Sequence, residues 1–363
     1  QDDGNSDGKR VDRCCDQWRK RDNIKQGSFK RVNWARLSHP NQRLFVSQSS
    51  LPADSRSSAP IDLRLVRKLF AAPERVIESD FLRREVAGRM HERLALVRIA
   101  PRRVLDAGCG EGADLSALQG SFAEAQVLGV DASPAMLAAA RHRQAAARST
   151  LGRALARWLP AKVGTAIGAN ADLLCGDFGQ LPLAVNSLDL VWSNLALHWH
   201  PQPDRVFAEW RRVLRVDGLL MFSCFGPDTF KELRDAFATV DEAPHALPFV
   251  DMHDLGDMLV NVGFSTPVMD METITVTYES VEKLMADVRA WGGNPLATRR
   301  RGLLGRARWR RVVQALELQR SHRADGRFPL SFEIIYGHAF RPVPRTTAAG
   351  ETIVRLDLHP KRR

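Results

Sequence analysis

The 363-residue chain has no apolar run approaching the ~20 residues that a membrane helix needs. Nor is there a hydrophobic stretch near its start that would read as a secretory signal. The expectation is a soluble, cytoplasmic protein. Cysteine is scarce: Cys14, Cys15, Cys109, Cys175 and Cys224 form no C-x-x-C pair, and this scattered, odd-numbered set suits neither a disulfide framework nor a zinc site. No metal is expected. Acids are also short, 42 Asp and Glu against 53 Lys and Arg, which leaves a formal charge of +11 and a pI near 9.9. Such a chain is drawn to an acidic partner, whether nucleic acid, anionic lipid or acidic protein. What is present is ordinary for a globular fold: 44% hydrophobic and 26% charged residues exclude a wholly disordered or fibrous chain. The length suits one large α/β domain with appendages, or two domains.

Residues 1–60 mix Gly, Ser, Asn and Asp with 12 basic and 7 acidic residues and lack an apolar period, which reads as a disordered basic extension. From Asp62 to Val97 apolar positions recur at helical spacing with a break at Pro73, predicting one short and one long helix. Short strands are then expected at Arg103–Asp106, Gln126–Asp131, Asn170–Phe178, Ser187–Ala196 and Gly218–Phe225, alternating with helical stretches. One of these helices opens at Ser133-Pro134, with the serine as cap. This alternation predicts a doubly wound parallel sheet whose ligand sits at the carboxyl ends of the strands. Two more strands, Pro267–Tyr278 and Phe328–Phe340, flank a helical insertion over about 279–327, and the insertion contains a run of nine arginines and one acid from Arg299 to Arg323. A folded domain over 61–342 with a loose tail over 343–363 follows.

The chemistry starts at Leu105-Asp-Ala-Gly-Cys-Gly-Glu-Gly-Ala113, which fits G-x-G-x-x-G/A, with Asp131 about 20 residues on at a strand end. A dinucleotide would lay its pyrophosphate on that loop, yet Asp106, Glu111 and Asp114 crowd it with negative charge. S-adenosylmethionine has no phosphate and carries an ammonium and a sulfonium, so an acidic glycine loop suits it. Gly108 and Gly110 would let backbone approach the ligand, Asp106 would order the loop or meet the amino group through water, and Asp131 would accept both ribose hydroxyls. Asp177, at a third strand end, lies where an adenine amino group can be read.

With VLDAGCGEG, VLGVDASPAML, the Gly-Asp after strand three and SLDLVWSNLALHW in view, the chain resembles the class I S-adenosylmethionine-dependent methyltransferases over roughly Asp62 to Phe340. The resemblance implies a Rossmann-like sheet of seven strands with the last antiparallel. It places the cofactor against Asp106, Gly108, Cys109, Gly110, Asp131, Ala132, Met136, Asp177 and Phe178, with Asn194 and Leu195 near the reacting methyl.

Fold does not identify a substrate. WSNLALHW, the LPLA before strand four, VDEAPHA and GRFPLSFE resemble the BioC family, the malonyl-[acyl-carrier-protein] O-methyltransferases of biotin synthesis. That family commonly has a tyrosine in the N-terminal helical segment, where this chain has Arg75-Val76-Ile77. The implied partner is an acidic acyl carrier protein bearing a malonyl group, for which the Arg299–Arg323 stretch offers a docking face. His198 and Arg84 are the candidates to hold the carboxylate, with Trp199 as an apolar wall. FGPDTFKELR, DMHDLGDMLVNVGF and MDMETITVTY are also similar to the methyltransferase-fold complex I assembly factors, which modify a protein arginine. An RNA methyltransferase is a weaker alternative, because no basic patch is interleaved with aromatics. His198 and His200, two apart, would share a strand face, but a third metal ligand is missing.

Overall fold

The computed structural model describes residues 59–147, 171–302 and 304–344. The expected N-terminal extension and C-terminal tail lie almost wholly outside these residues, as does Asn170.

Three helices open the described chain, not two: α1 (Leu63–Leu69), α2 (Pro73–Glu78) and α3 (Phe81–Ala95). Asp62 caps α1 by accepting from the Arg64 and Leu65 amides, and Pro73 takes the first position of α2, where its missing N–H costs nothing. The extra break falls before α3, at Ser79 and Asp80, both buried, where Ser79 is tied to Asp287 and Trp291 and Asp80 holds Arg83 and Arg84 of α3 itself.

The sheet strands are β1 (Arg103–Ala107), β2 (Gln126–Asp131), β3 (Asp172–Cys175), β4 (Leu188–Ser193), β5 (Leu214–Phe225), β6 (Ser265–Tyr278) and β7 (Phe328–Phe340). They form one seven-stranded sheet in the order β3-β2-β1-β4-β5-β7-β6. β1 to β5 pair in parallel, and β7 runs antiparallel to both neighbours. This is the Rossmann-like methyltransferase architecture. Interior strands such as β1 and β4 are buried almost throughout, as parallel strands covered on both faces must be. The edge strand β6 alternates half-buried and exposed positions along most of its length.

The intervening helices are α4 (Leu115–Ser121), α5 (Pro134–Ala147), α6 (Pro203–Val213), α7 (Lys231–Ala238) and α8 (Met252–Val262), with a 3₁₀ turn at Leu197–Trp199. In α6 the buried Val206, Phe207, Trp210 and Val213 recur at helical spacing and cover one sheet face beside Phe222. Helices α9 (Val281–Ala290) and α10 (Arg306–Ser321) lie between β6 and β7. Among the described residues no helix is long and apolar enough to cross a membrane.

Strand order reverses between β1 and β4, so the loops after these two strands diverge from adjacent carboxyl ends and leave a crevice there.

Candidate functional site

That crevice holds a cleft with about 910 Å³ of empty space, part of it open to solvent. This is the size range of small-molecule sites. The loop after β1 forms its floor. Gly108 has a φ of +83°, and a Cβ there would stand 2.3 Å from the Cβ of Ala196 in the loop after β4. Only glycine lets the two loops approach so closely.

Asp131 ends β2 and ties the floor together. One carboxylate oxygen accepts from the Gly110 amide at 2.9 Å and the other from the Ser133 amide at 2.7 Å. Each oxygen keeps a second lone pair for a ligand. Burial pushes this carboxyl up to about 6, with the two amide bonds pulling the other way.

Asp106 is enclosed within β1, and burial, followed by the charge of Asp114, raises its pKa well above the usual carboxylate range. Asp114 is occupied beneath the cleft: its Oδ2 accepts from Trp192 Nε1 at 3.2 Å and from Asn194 Nδ2 at 3.1 Å. Asn194 is pinned at its other end by the Ser223 hydroxyl, at 2.9 Å. Leu195 turns the chain at φ +50° and its amide meets Ser223 twice, at the carbonyl and at the hydroxyl.

The residues expected to bind the cofactor divide accordingly. Gly108, Gly110, Asp131, Ala132, Met136, Phe178, Asn194 and Leu195 line the cleft. Asp106 lies behind the floor, and Cys109 packs into the core against Gly129. Asp177 is also outside the lining: its Oδ1 closes a turn by accepting from the Gly179 amide at 2.7 Å and lies 3.8 Å from His200 Nε2.

Of the expected acceptor residues, His198 and Trp199 line the cleft and Arg84 does not. The Arg84 side chain is 68% exposed and rests on Asp80. Its neighbour Arg83 takes the inner position, donating to Glu111 Oε2 at 2.7 Å and to Asp80 Oδ1 at 2.5 Å, with a further contact to Glu111 Oε1. Burial works against the Arg83 charge, but the two carboxylates outweigh it and hold its pKa above the ordinary value. Glu111, fully buried, is correspondingly held below its own. The sequence signal for Arg83 was its helix face: positions 83, 87, 90 and 94 are spaced 4, 3 and 4, and the last three are buried.

Neither His198 nor His200 is on β4: His198 lies in the 3₁₀ turn beyond it and His200 directly follows that turn. Its ring packs on Phe225, Trp199 and Phe249. Burial lowers its pKa to about 3, so the imidazole is neutral at pH 7. The Phe225 amide donates to Nδ1 at 3.4 Å, which places the ring proton on Nε2. That Nε2 is buried and has no partner. His200 faces elsewhere, its Nδ1 accepting from the Gln202 amide at 3.1 Å.

The cover over the cleft comes from residues that single-sequence reading missed. Phe70, at the end of α1, meets the Trp199 ring edge-on at 5.3 Å, and its carbonyl accepts from the Ser133 hydroxyl at 2.8 Å. Trp291, just after α9, donates from Nε1 to the Ser79 carbonyl at 2.7 Å. Arg67 of α1 lines the same space.

Residues 105–222 match the family described as "Methyltransferase domain". The malonyl-[acyl-carrier protein] O-methyltransferase of Laribacter hongkongensis (strain HLHK9) is 51% identical, over 73% of this chain and 84% of that protein. Its counterpart from Gallionella capsiferriformans (strain ES-2) is 43% identical, over 81% of this chain and 96% of that one. The chain belongs to the malonyl-[acyl-carrier protein] O-methyltransferase family. Among solved structures, a putative methyltransferase from Bacillus halodurans C-125 is similar over 71% of this chain and 99% of that one, at 15% identity and a TM-score of 0.48.

The chain is thus a methyltransferase and its cofactor is S-adenosylmethionine. The floor of the cleft fits that group. Asp131, Asp80 and Glu111 outnumber Arg67 and Arg83 along the cleft, which favours a cation over a phosphate, and the half-buried Asp131 carboxylate keeps lone pairs for hydroxyl donors.

Proposed function

We propose that this methyltransferase esterifies the free carboxylate of a malonyl group carried on acyl carrier protein, the masking step of biotin synthesis. The observation that carries the reading is His198: a neutral imidazole on the cleft wall whose protonated Nε2 is buried without an acceptor. Leaving a donor unmade in a buried site costs about 1–3 kcal/mol. A carboxylate oxygen would satisfy it after a small turn of the ring, since Nε2 as it stands is closed off from the empty cleft. The relatives named for malonyl-carrier methylation support the same substrate.

The reaction asks for placement more than for proton chemistry. A malonyl carboxylate is ionised at pH 7, so no general base is required, and a histidine held neutral is not one that must take a proton. S-adenosylmethionine, when bound, supplies an electrophilic methyl group on a sulfonium. Asp131 would accept from its ribose hydroxyls, with Gly108 and Gly110 giving backbone access beside it. His198 would hold the carboxylate through one oxygen and leave the other free to attack, and Arg67 adds positive charge along the approach. Phe70, Trp199, Phe225 and Trp291 supply apolar walls that keep water from the reacting pair.

The test is mass spectrometry of malonyl-acyl carrier protein after incubation with the protein and S-adenosylmethionine. The expected product is a carrier heavier by one methyl group that is lost again in mild base, as an ester is. An unchanged carrier, with cofactor binding confirmed in the same sample, would overturn the reading and favour the protein-arginine-modifying alternative.

A further inference from the structure

S-adenosylmethionine carries positive charge on its ammonium and sulfonium and negative charge on the carboxylate of the same amino-acid tail. The acids along the cleft suit the first two groups, and the carboxylate calls for a cation. Two guanidinium groups line the space, those of Arg67 and Arg83. Arg67 stands on α1 in the cover, where its Nε donates to the Leu63 carbonyl one turn earlier at 3.2 Å. Arg83 is fixed against the floor.

That fixing leaves one donor over. A guanidinium has five N–H groups. Nε and Nη2 of Arg83 donate to Asp80 Oδ1, while Nη1 and Nη2 donate to Glu111, so four are spent and the fifth belongs to Nη1. The same Nη1 faces the glycine loop: a Cβ on Gly110, which turns at φ +53°, would lie 3.3 Å from it. The Gly110 amide in turn donates to Asp131. One glycine therefore stands between the carboxylate suited to the ribose and a guanidinium that keeps a single donor. The acids do not use up the positive charge at this end of the cleft, because the exposed Arg84 and Arg143 approach Asp80 and Glu111 to 3.3 and 3.6 Å from outside.

We propose that Arg83 recognises the amino-acid carboxylate of S-adenosylmethionine through this remaining Nη1 donor, and so makes the cleft selective for a cofactor with an intact tail. Asp80 and Glu111 hold the guanidinium in place before the cofactor arrives, so little side-chain freedom is lost on binding. The inference concerns the cofactor half of the cleft and does not depend on which acceptor is methylated.

The experiment is calorimetry with two ligands, S-adenosylmethionine and its decarboxylated form, which keeps the adenosine, the sulfonium and the amine and lacks the carboxylate. The parent is compared with Arg83→Gln, with a double variant carrying Arg83→Gln and Glu111→Gln, and with Arg67→Gln. The single change at Arg83 leaves Glu111 buried beside a neutral partner, whereas the double change removes both charges of the pair and leaves neither alone. The double change also preserves the net charge of the cleft, so a general preference for the more cationic ligand does not imitate a lost contact. The parent is expected to bind S-adenosylmethionine about tenfold or more tighter than the decarboxylated form, and that ratio is expected to fall about tenfold in both Arg83 variants and to hold in Arg67→Gln. An arginine that only braces the floor would weaken both ligands alike; a ratio kept in the double variant would therefore overturn the assignment. So would a parent that does not distinguish the two ligands, or a ratio that Arg67→Gln abolishes while the Arg83 variants keep it.

Discussion

The floor of the cleft and its cover are tied together over very different distances along the chain. On the floor, Gly110 reaches Asp131 across 21 positions, within one strand-helix-strand unit. In the cover, Ser79 donates to Asp287 across 208 positions and Trp291 to Ser79 across 212. A floor of this kind is delivered by local folding, since parallel strands must bring their carboxyl ends side by side. The cover exists only once the segment before β1 has met the insertion between β6 and β7. The cofactor side is accordingly a property of the sheet, and the acceptor side a property of tertiary packing.

Breaking the tie where floor and cover meet gives the largest effect. Arg83→Ala removes the cation from between Asp80 and Glu111 and leaves Glu111 buried with only Arg143, 3.6 Å away, near it. Losing one partner of a buried pair typically costs about 3–5 kcal/mol. Urea unfolding is expected to show a loss toward the lower end of that range, because Arg143 compensates in part. An unchanged midpoint would mean that the floor does not depend on α3.

Asp131→Ala tests the floor itself. Removing an acceptor that serves the ribose through charge-assisted bonds costs about 1.5–3 kcal/mol, so affinity for S-adenosylmethionine should fall more than tenfold by calorimetry. The pH dependence sharpens this. The carboxyl is pushed up to about 6, so below that pH it is protonated and accepts less well. Cofactor affinity should therefore be flat above pH 7 and fall as the pH drops through 6, whereas Asp131→Asn should show a weak affinity without that step. An identical acid limb in the two proteins would assign the titration to another group.

His198→Phe moves the test to the acceptor side. The ring contacts are kept and the single N–H is lost, so KM for a malonyl donor should rise about tenfold, equivalent to roughly 1.4 kcal/mol, while cofactor affinity holds. A fall in cofactor affinity instead would place this histidine on the floor.

The same division governed what the sequence disclosed. The glycine loop, Asp131 and the turn after β4 were legible because each is a short motif at a strand end, and strand order alone brings them together. Cys109 and Asp177 were read from their places in such motifs, yet Cys109 points into the core and Asp177 closes its own turn. A motif gives position along the chain but not side-chain direction. The third helix of the opening segment was missed because its break is made by the tertiary contacts of Ser79 rather than by a local breaker. Phe70 and Trp291 were missed because no periodicity links residues so far apart.

Arg83 and Arg84 give the finest version of the contrast, since they are adjacent and chemically identical. One lies 19% exposed between two buried or nearly buried carboxylates, the other 68% exposed and 3.3 Å from Asp80. Exposed pairs of that kind are worth about 0.2–1 kcal/mol, because water screens them and a long side chain must be held still. Arg84→Ala is thus expected to shift the urea midpoint barely at all and to leave both kcat and the KM for a malonyl donor unchanged. If it abolishes methylation while stability holds, the Arg84 guanidinium swings in to meet the substrate carboxylate. Acceptor recognition would then be completed only when the substrate binds.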